Sequence, residues 1–280
     1  MNNSICYFNG LIQPEKETSI SISDLSFLRG YGVFEFLRTY NGRPFLLSEH
    51  IERLINSVKI MSIDCPISQN EISQIILQLI KHNNITESSV RCVLTGGVSK
   101  NGMWPTNKPT ILVMTNELES VPPEIYNGVK LITDNFLRHV PEAKTIDYSN
   151  LVRQQKRINV EKAFSLLYTN EGNVLEAAIS NFFIIKDRIV ITPEDNILKG
   201  TTRNLLINII SSGYKVEERN ISLEELNHAD EAFITGTTQG VVPVICVDNI
   251  TLGNGKAGVQ TKAIMSIFSN FVNKFINEKN

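Results

Sequence analysis

The chain has 280 residues, of which 42% are hydrophobic and 20% are charged, and its formal net charge is −2. This composition predicts a globular protein with room for one large domain or two modest ones. The small net charge argues against a nucleic-acid partner. No segment approaches ~18 consecutive apolar residues and the first residues lack a signal-peptide pattern, so we expect a cytoplasmic protein with no membrane partner.

The cysteines give no sign of a metal or disulfide framework. They are far apart and form no CxxC pair: Cys6, Cys65, Cys92 and Cys246. We therefore expect reduced thiols and no metal site.

The first half of the chain alternates between helical and strand-like patterns. Helical spacing begins at Ile51, with Ser48 as the expected cap, and a second amphipathic segment runs from Ile72 to Ile80. The runs SSVRCVLT and PTILVMT predict two strands separated by a loop rich in Gly, Asn and Pro.

The second half continues the mixture after a polar, proline-bearing stretch at about 116–128. It predicts a strand in VKLITDNF, a helix over roughly 149–161, a hairpin that turns at 186–188, a helix after Gly200 and a final long helix. These patterns together predict a two-domain α+β or α/β protein.

One carboxylate stands out. Glu176 lies in VLEAAISN, a run of small and apolar residues that leads into the strand-like FFII. A buried carboxylate is costly unless it meets a cation or a protonated nitrogen, and the small neighbours would let a flat ligand lie against the backbone. The alternative is a solvent-exposed glutamate at a hairpin end.

Lys144, in EAKTIDYSN, lies between a predicted strand and a predicted helix start. Such junctions commonly carry functional residues in α/β proteins. A desolvated lysine can act as an amine nucleophile, whereas a lone loop lysine is more often solvated.

Phosphate-binding features are a third signal. ILKGTTRNLLINI places a glycine and two threonines at a helix start, and ITGTTQG repeats Gly-Thr-Thr after a strand. Arg53, on the polar side of the first long helix, could add a charge-assisted bond. Each feature alone is also explained by a capped turn or a solvated arginine.

In combination these features match the needs of a pyridoxal phosphate site. A lysine can hold the cofactor aldehyde as a Schiff base, a helix start can anchor the phosphate, and a glutamate can keep the pyridine nitrogen protonated. The order of these motifs along the chain is more specific than any one of them.

The sequence resembles the class IV aminotransferases, the fold-type IV pyridoxal phosphate family that includes branched-chain aminotransferases, D-amino acid transaminases and aminodeoxychorismate lyases. The resemblance covers nearly the whole chain through motifs in order: FNG, RGYGVFEFLRTYNGRPFLLSEHIERL, AKTIDY, LEAAISNFFIIKD, ILKGTTRNLL, ADEAFITGTTQGVVPV and GNGKAGVQTKAI.

The resemblance implies a role for each matching residue. Lys144 forms the Schiff base and moves the proton. The other implied cofactor-binding residues serve the pyridine nitrogen, the phosphate and the ring hydroxyl: Glu176 for the nitrogen, Arg53, Thr201, Thr202 and Thr237 for the phosphate, and Tyr148 for the hydroxyl. The implied substrate-side residues are Tyr31, Phe36 and Thr238.

The resemblance also implies a D-amino acid aminotransferase-like fold. This fold has a smaller N-terminal α/β domain at 1–118, a linker at 119–128 and a larger β-rich domain at 129–280, with the cofactor between the domains in a homodimer. The implied reaction is ping-pong transfer of an amino group between an amino acid, nominally a branched-chain L-amino acid, and a 2-oxo acid such as 2-oxoglutarate.

Departures from the branched-chain pattern leave alternatives open. Phe36 stands where those enzymes carry a glycine, and Gln239 and Gly240 stand where a residue followed by glutamate is common. Aminodeoxychorismate lyase, which eliminates pyruvate, and D-amino acid transaminase are the alternatives within the family. An alternative of another class is a non-catalytic small-molecule-binding protein, which would not need Lys144.

Three cations are candidates for pairing with a substrate side-chain carboxylate: Arg91, Arg138 and Lys100. Solvent exposure is the commoner state for each residue type.

Overall fold

A computed structural model describes residues 4–278. The chain forms two compact units, which are described separately below. Unit 1 comprises the chain up to Glu119 together with Glu142–Tyr148, and unit 2 comprises Ser120–Pro141 and the chain from Ser149 onward. The predicted division by a single linker therefore differs at 142–148, a short segment that returns to unit 1.

Unit 1 contains six strands and three α-helices within the described residues. The strands are β1 Ile5–Phe8, β2 Leu11–Pro14, β3 Gly32–Tyr40, β4 Arg43–Pro44, β5 Ser88–Thr95 and β6 Thr110–Glu117; the helices are α1 Leu25–Arg29, α2 Leu47–Ile60 and α3 Gln69–Asn83, with a 3₁₀ turn at Glu15–Glu17. The strands form one antiparallel sheet in the order β2-β1-β6-β5-β3-β4.

The core of unit 1 lies between this sheet and the two long helices. Along β3 the burial alternates with a period of two, so Val33 and Leu37 are buried while Phe34 and Phe36 face the other side. The buried apolar stripes of α2 and α3 pack on the inward face. Burying each Leu or Ile there contributes about 1.5–3 kcal/mol.

Unit 2 contains the remaining strands and helices. The strands are β7 Val129–Asn135, β8 Ser165–Asn170, β9 Asn173–Ala177, β10 Asn181–Lys186, β11 Ile189–Thr192, β12 Lys215–Glu218, β13 Ile221–Ser222, β14 Glu231–Gly236, β15 Gly240–Val247 and β16 Ile250–Thr251. The helices are α4 Ser149–Arg153, α5 Gln155–Val160, α6 Thr201–Ile210, α7 Leu223–Asn227 and α8 Val259–Asn277, with a 3₁₀ turn at Pro123–Asn127.

These strands form one mixed sheet in the order β12-β11-β10-β14-β15-β7-β8-β9-β13, with β16 paired to β15. The central strands are nearly continuous apolar runs, and Phe182, Phe233 and Val242 are fully buried. Such runs are typical of strands covered on both faces. The α+β fold class predicted from the sequence is confirmed.

The predicted elements are largely found, with two differences in the helices. Helix α2 begins at Leu47, so Ser48, the expected cap, lies in its first turn and is not its cap. The single helix predicted at 149–161 is broken at Gln154, whose ψ of −1° departs from helical geometry. Within residues 4–278, no helix has the length and apolar character needed to cross a bilayer.

Candidate active site

The segment that carries Lys144 is bonded to the edge of β3 in unit 1. The N–H of Phe34 donates to the Lys144 carbonyl (2.9 Å), and the N–H of Ile146 donates to the Gly32 carbonyl (3.1 Å). The Lys144 N–H itself donates to Ser57 Oγ on α2 (3.0 Å). The backbone of the lysine is therefore fixed on both sides by the fold of unit 1.

The Lys144 side chain lies beside an aromatic pair and a cavity. Its Nζ is 4.7 Å from the centroid of the Phe34 ring, and the ring of Tyr148 meets Phe34 edge-on at 5.7 Å. Both rings line a cavity of about 400 Å³, together with Arg91, Val93 and Ile146. The structure thus brings Lys144 and Tyr148 together around Phe34.

Arg53 is held by a buried carboxylate on the neighbouring strand. Its Nε donates to Glu35 Oε2 (2.9 Å) and its Nη2 to Glu35 Oε1 (2.6 Å). His50 Nδ1 is 3.0 Å from the same Oε1, and because an ionised carboxylate only accepts, this nitrogen is the donor. The two hydrogen bonds from Arg53 to Glu35 fix the plane of the guanidinium.

The ionisation of this trio follows from burial and charge. Burial raises the pKa of Glu35, but the charge of Arg53 and the contact with His50 outweigh it and hold the pKa well below its ordinary value of 4.5. Burial lowers the pKa of His50 below 6.5, although Glu35 opposes this shift. At neutral pH the trio is therefore a carboxylate, a guanidinium and a neutral imidazole.

In unit 2, Glu176 is buried near the end of β9 and paired with Arg138. Both Nε and Nη2 of Arg138 contact Glu176 Oε1, at 2.9 and 2.8 Å. The Leu198 N–H donates to Oε2 (3.1 Å). Arg138 also donates to the Pro141 carbonyl. The carboxylate expected among small residues is thus buried, and a cation compensates it.

Helix α6 begins shortly after Leu198, the residue whose N–H donates to the Glu176 carboxylate. Its N-cap is Gly200, which has no side chain to accept from the first-turn N–H groups, and Thr201 and Thr202 are both buried. Such a helix start presents N–H groups and hydroxyls to an anion.

The turn between β14 and β15 carries Thr237 and Thr238 and is tied to the turn after Glu176. Gln239 Nε2 donates to Ser180 Oγ (2.7 Å), and the Gln239 carbonyl accepts from the Tyr126 hydroxyl (3.1 Å). In unit 2 the structure therefore connects the β14–β15 turn and the start of α6 to the Glu176 turn.

The backbone conformation and the packing at position 240 both favour a glycine. Its φ is +65°, and a Cβ there would lie 2.8 Å from the ring of Phe268 on α8. A glutamate at this position would be strained and would clash with Phe268, so this chain's own packing favours the glycine.

The two aromatic residues expected on the substrate side lie in different surroundings. Tyr31 donates its hydroxyl to the Met61 carbonyl and packs against the core of unit 1. Phe36 is on the same face of β3 as Phe34, with the Arg91 guanidinium 5.8 Å from its ring centroid. The Phe34 ring lies beside Lys144, and Phe34 was not among the residues predicted from the sequence.

The other two candidate cations are placed differently from Arg91. Arg138 pairs with Glu176 within unit 2 and its side chain is largely buried, unlike the solvent exposure that is commoner for an arginine. Lys100 is exposed and lies against a separate cavity of about 700 Å³ in unit 1.

Taken unit by unit, these groups fit pyridoxal phosphate. Unit 1 offers an amine beside aromatic rings and an oriented guanidinium, and unit 2 offers a carboxylate and a helix start whose cap has no side chain. An aldehyde, a phosphate and a pyridine nitrogen are the three functions that these groups would bind. Among residues 4–278, no three His, Cys, Asp or Glu side chains cluster as metal ligands would.

Comparison with known proteins identifies the family. The class IV amino-transferase family matches residues 32–246, so the chain belongs to the class IV aminotransferases. A Methanocaldococcus jannaschii relative, provisionally named a branched-chain-amino-acid aminotransferase, is 34% identical over 96% of each chain. The aminodeoxychorismate lyase of Bacillus subtilis is 33% identical over 98% of this chain and 96% of its own. The D-alanine aminotransferase of Bacillus licheniformis is 30% identical over 95% and 96%.

A solved structure agrees with this assignment. A branched-chain amino acid aminotransferase from the organism abbreviated T.th., determined with pyridoxamine 5′-phosphate, superposes with a TM-score of 0.89 at 27% identity, over 97% of this chain and 95% of that chain. The fold is therefore that of the fold-type IV enzymes.

Proposed function

We propose that the chain uses pyridoxal 5′-phosphate to exchange an amino group between a branched-chain L-amino acid and 2-oxoglutarate. The observation that carries this proposal is the mostly apolar cavity lined by Phe34, whose ring lies 4.7 Å from Lys144 Nζ, with Arg91 as its charged lining residue. The proposed cofactor ligands are those expected from the sequence: Lys144, Arg53, Tyr148, Glu176, Thr201, Thr202 and Thr237.

Each proposed ligand has a defined task. When bound, pyridoxal phosphate supplies an aldehyde that captures amines and a ring that withdraws electrons from the captured carbon. Lys144 would hold the aldehyde and, once released, would take the proton from the substrate Cα and return it at C4′ of the cofactor. Glu176 accepts the N–H of the pyridine nitrogen, and Arg53 with the threonines binds the phosphate. Thr238 contributes a backbone N–H to the substrate carboxylate.

The lining of the cavity supports both halves of the exchange. Phe34, Val93, Ile146 and Tyr148 present hydrocarbon to an aliphatic side chain, whose burial is favourable by about 0.8 kcal/mol per CH₂. Arg91 can pair with the second carboxylate of glutamate or 2-oxoglutarate. One cavity can thus accept an apolar donor and an acidic acceptor in turn.

The visible spectrum of the purified, cofactor-loaded chain tests this proposal. L-leucine should abolish the yellow band and 2-oxoglutarate should restore it. Lys144→Ala should lack the band, whereas Lys130→Ala, which removes a surface lysine paired with Glu161, should keep it. A wild type that shows no such band after incubation with pyridoxal phosphate and removal of the unbound cofactor would refute the cofactor assignment and favour a binding protein.

Different substrates separate the alternatives. Bleaching by D-alanine but not by L-leucine would assign the chain as a D-amino acid transaminase. Pyruvate release from aminodeoxychorismate without a 2-oxo acid acceptor would assign it as the lyase. Arg91→Met should raise KM for 2-oxoglutarate at least about tenfold, equivalent to ~1.4 kcal/mol, and leave KM for L-leucine within twofold. Arg38→Met, on the same sheet but paired with Glu87, is the matched control.

We also propose a homodimer formed through an apolar surface of unit 1. Phe27 and Trp104 are 74% and 69% exposed, and Ile22 is 79% exposed. The segments that carry them are joined, because the Leu25 N–H donates to the Gly97 carbonyl and the Ser99 N–H to the Ser23 carbonyl. Large apolar side chains exposed on joined segments are typical of protein interfaces. Light scattering should give a dimer for wild type and a monomer for Phe27→Asp; a monomeric wild type would refute the proposal.

A further inference from the structure

The backbone N–H and C=O of Leu198 are both hydrogen-bonded by residues that flank one turn. Glu176 is the penultimate residue of β9 and Asn181 is the first residue of β10. Glu176 Oε2 accepts the Leu198 N–H (3.1 Å), and Asn181 Nδ2 donates to the Leu198 carbonyl (2.6 Å). The two backbone polar groups of Leu198 therefore connect both ends of the turn to the segment that enters α6.

Asn181 is closely packed where these groups meet. It is 5% exposed, and its Nδ2 also lies 3.5 Å from Glu176 Oε2. Its Oδ1 faces Gly200, the N-cap of α6, where a Cβ would lie only 2.1 Å away. Because φ of Gly200 is −65°, ordinary residues could adopt this backbone, and the glycine is required by the closeness of Asn181.

From this geometry we infer that Asn181 is a positioning residue. It sets the distance between the two cofactor anchors of unit 2, the Glu176 carboxylate and the first turn of α6. The inference rests on the proposed cofactor role and deepens it, because it explains how the anchor for the pyridine nitrogen and the anchor for the phosphate stay in register.

The physical reason is the rigidity of a buried, satisfied hydrogen-bond network. A buried amide that lost the Leu198 carbonyl would leave polar groups unpaired, so the amide and the peptide move together. A ligand group that orders Glu176 therefore also orders the start of α6. Binding at one anchor should then favour binding at the other.

The test is a double-mutant cycle on cofactor affinity in the full chain stripped of bound cofactor. Glu176→Gln weakens the ring anchor and Thr202→Val weakens the phosphate anchor. With Asn181 present, the two losses in affinity for pyridoxal phosphate should differ from additivity by at least about fivefold. In Asn181→Ala the deviation should fall to less than about twofold.

Gly200→Ala provides a second variant that displaces the Asn181 amide without replacing it, and it should also abolish the coupling. Two matched controls should retain it. Gly213→Ala adds a methyl group in open space beyond α6, and Asn83→Ala removes a bridging amide that ties β1 to β6 in unit 1. Coupling that survives in folded Asn181→Ala or Gly200→Ala would overturn the inference.

Hydrogen exchange on the wild-type chain tests the same inference without a variant. Pyridoxal, which has no phosphate, should slow exchange of the Leu198 amide and of the first-turn amides of α6. Protection of Leu198 alone would overturn the inference even if neither variant folds. A wild type that binds neither pyridoxal phosphate nor pyridoxal would instead refute the proposed function, so the two failures are distinguishable.

Discussion

Replacing Arg138 by methionine should destabilise unit 2 strongly, because it removes the charge partner of Glu176. The side chains are 15% and 8% exposed, and two guanidinium nitrogens contact one carboxylate oxygen. Breaking a buried pair costs about 3–5 kcal/mol, and the partial exposure of Arg138 places the expected loss near ~3 kcal/mol. This loss should lower the melting temperature by roughly 6–12 °C.

The assay is thermal unfolding followed by circular dichroism on Arg138→Met, Glu176→Gln and the double variant. The double variant should be more stable than Arg138→Met, because the glutamine removes the uncompensated charge. Recovery should be incomplete, since the Pro141 carbonyl still lacks the arginine donor. The control is Arg157→Met, whose 42% exposed side chain lies 3.6 Å from Asp134 and should contribute less than about 1 kcal/mol.

The result that would refute this reasoning is equal stability of Arg138→Met and Arg157→Met. A double variant that is less stable than Arg138→Met would also contradict it. In that case Glu176 would contribute through its bond from Leu198 more than it loses through its uncompensated charge.

Three other changes in unit 1 have defined outcomes. In the folded state the pKa of Glu35 is held below 4.5 and that of His50 below 6.5. The free energy of unfolding, measured with urea, should therefore fall as the pH drops below ~6.5 and again below ~4.5. His50→Gln should remove the upper step. Gly97→Ala should lower the melting temperature by several degrees, because φ is +72° and the added Cβ would lie 1.8 Å from the Lys108 carbonyl oxygen; unchanged melting would refute the clash. Tyr31→Phe should cost about 1 kcal/mol of stability and change KM for L-leucine less than twofold, whereas a tenfold change would support the substrate-side role that the resemblance implies for Tyr31.

The secondary structure was accessible from the sequence because it depends on local periodicity. The alternation in SSVRCVLT and the 3.6-residue spacing in α2 and α3 predict the strand and helices that the structure has. The return of 142–148 to unit 1 was not accessible in this way. It depends on backbone bonds between residues more than a hundred positions apart, such as Phe34 to Lys144.

The partners of two arginines also could not be predicted from local sequence patterns. Arg53 and Arg138 were each compatible with a solvated side chain, and their partners Glu35 and Glu176 are 18 and 38 positions away. One local signal did exist: Glu35 occupies the buried phase of β3, between Val33 and Leu37, where an unpaired charge is not tolerated. The phase of the strand predicts a buried cation partner for Glu35, but the sequence does not say which cation.

Both proposed charged anchors are thus paired within their own unit. Arg53 has Glu35 and Glu176 has Arg138, so each pair is close to neutral before any ligand binds. Pairing lowers the attraction that each anchor exerts on an opposite charge, but it fixes the direction of the remaining donors and acceptors. Such preorganisation shifts the cost of ordering from binding to folding. It follows that variants of Glu35 and Arg138 should lose stability even in the absence of cofactor, whereas variants that act only on the bound cofactor should not.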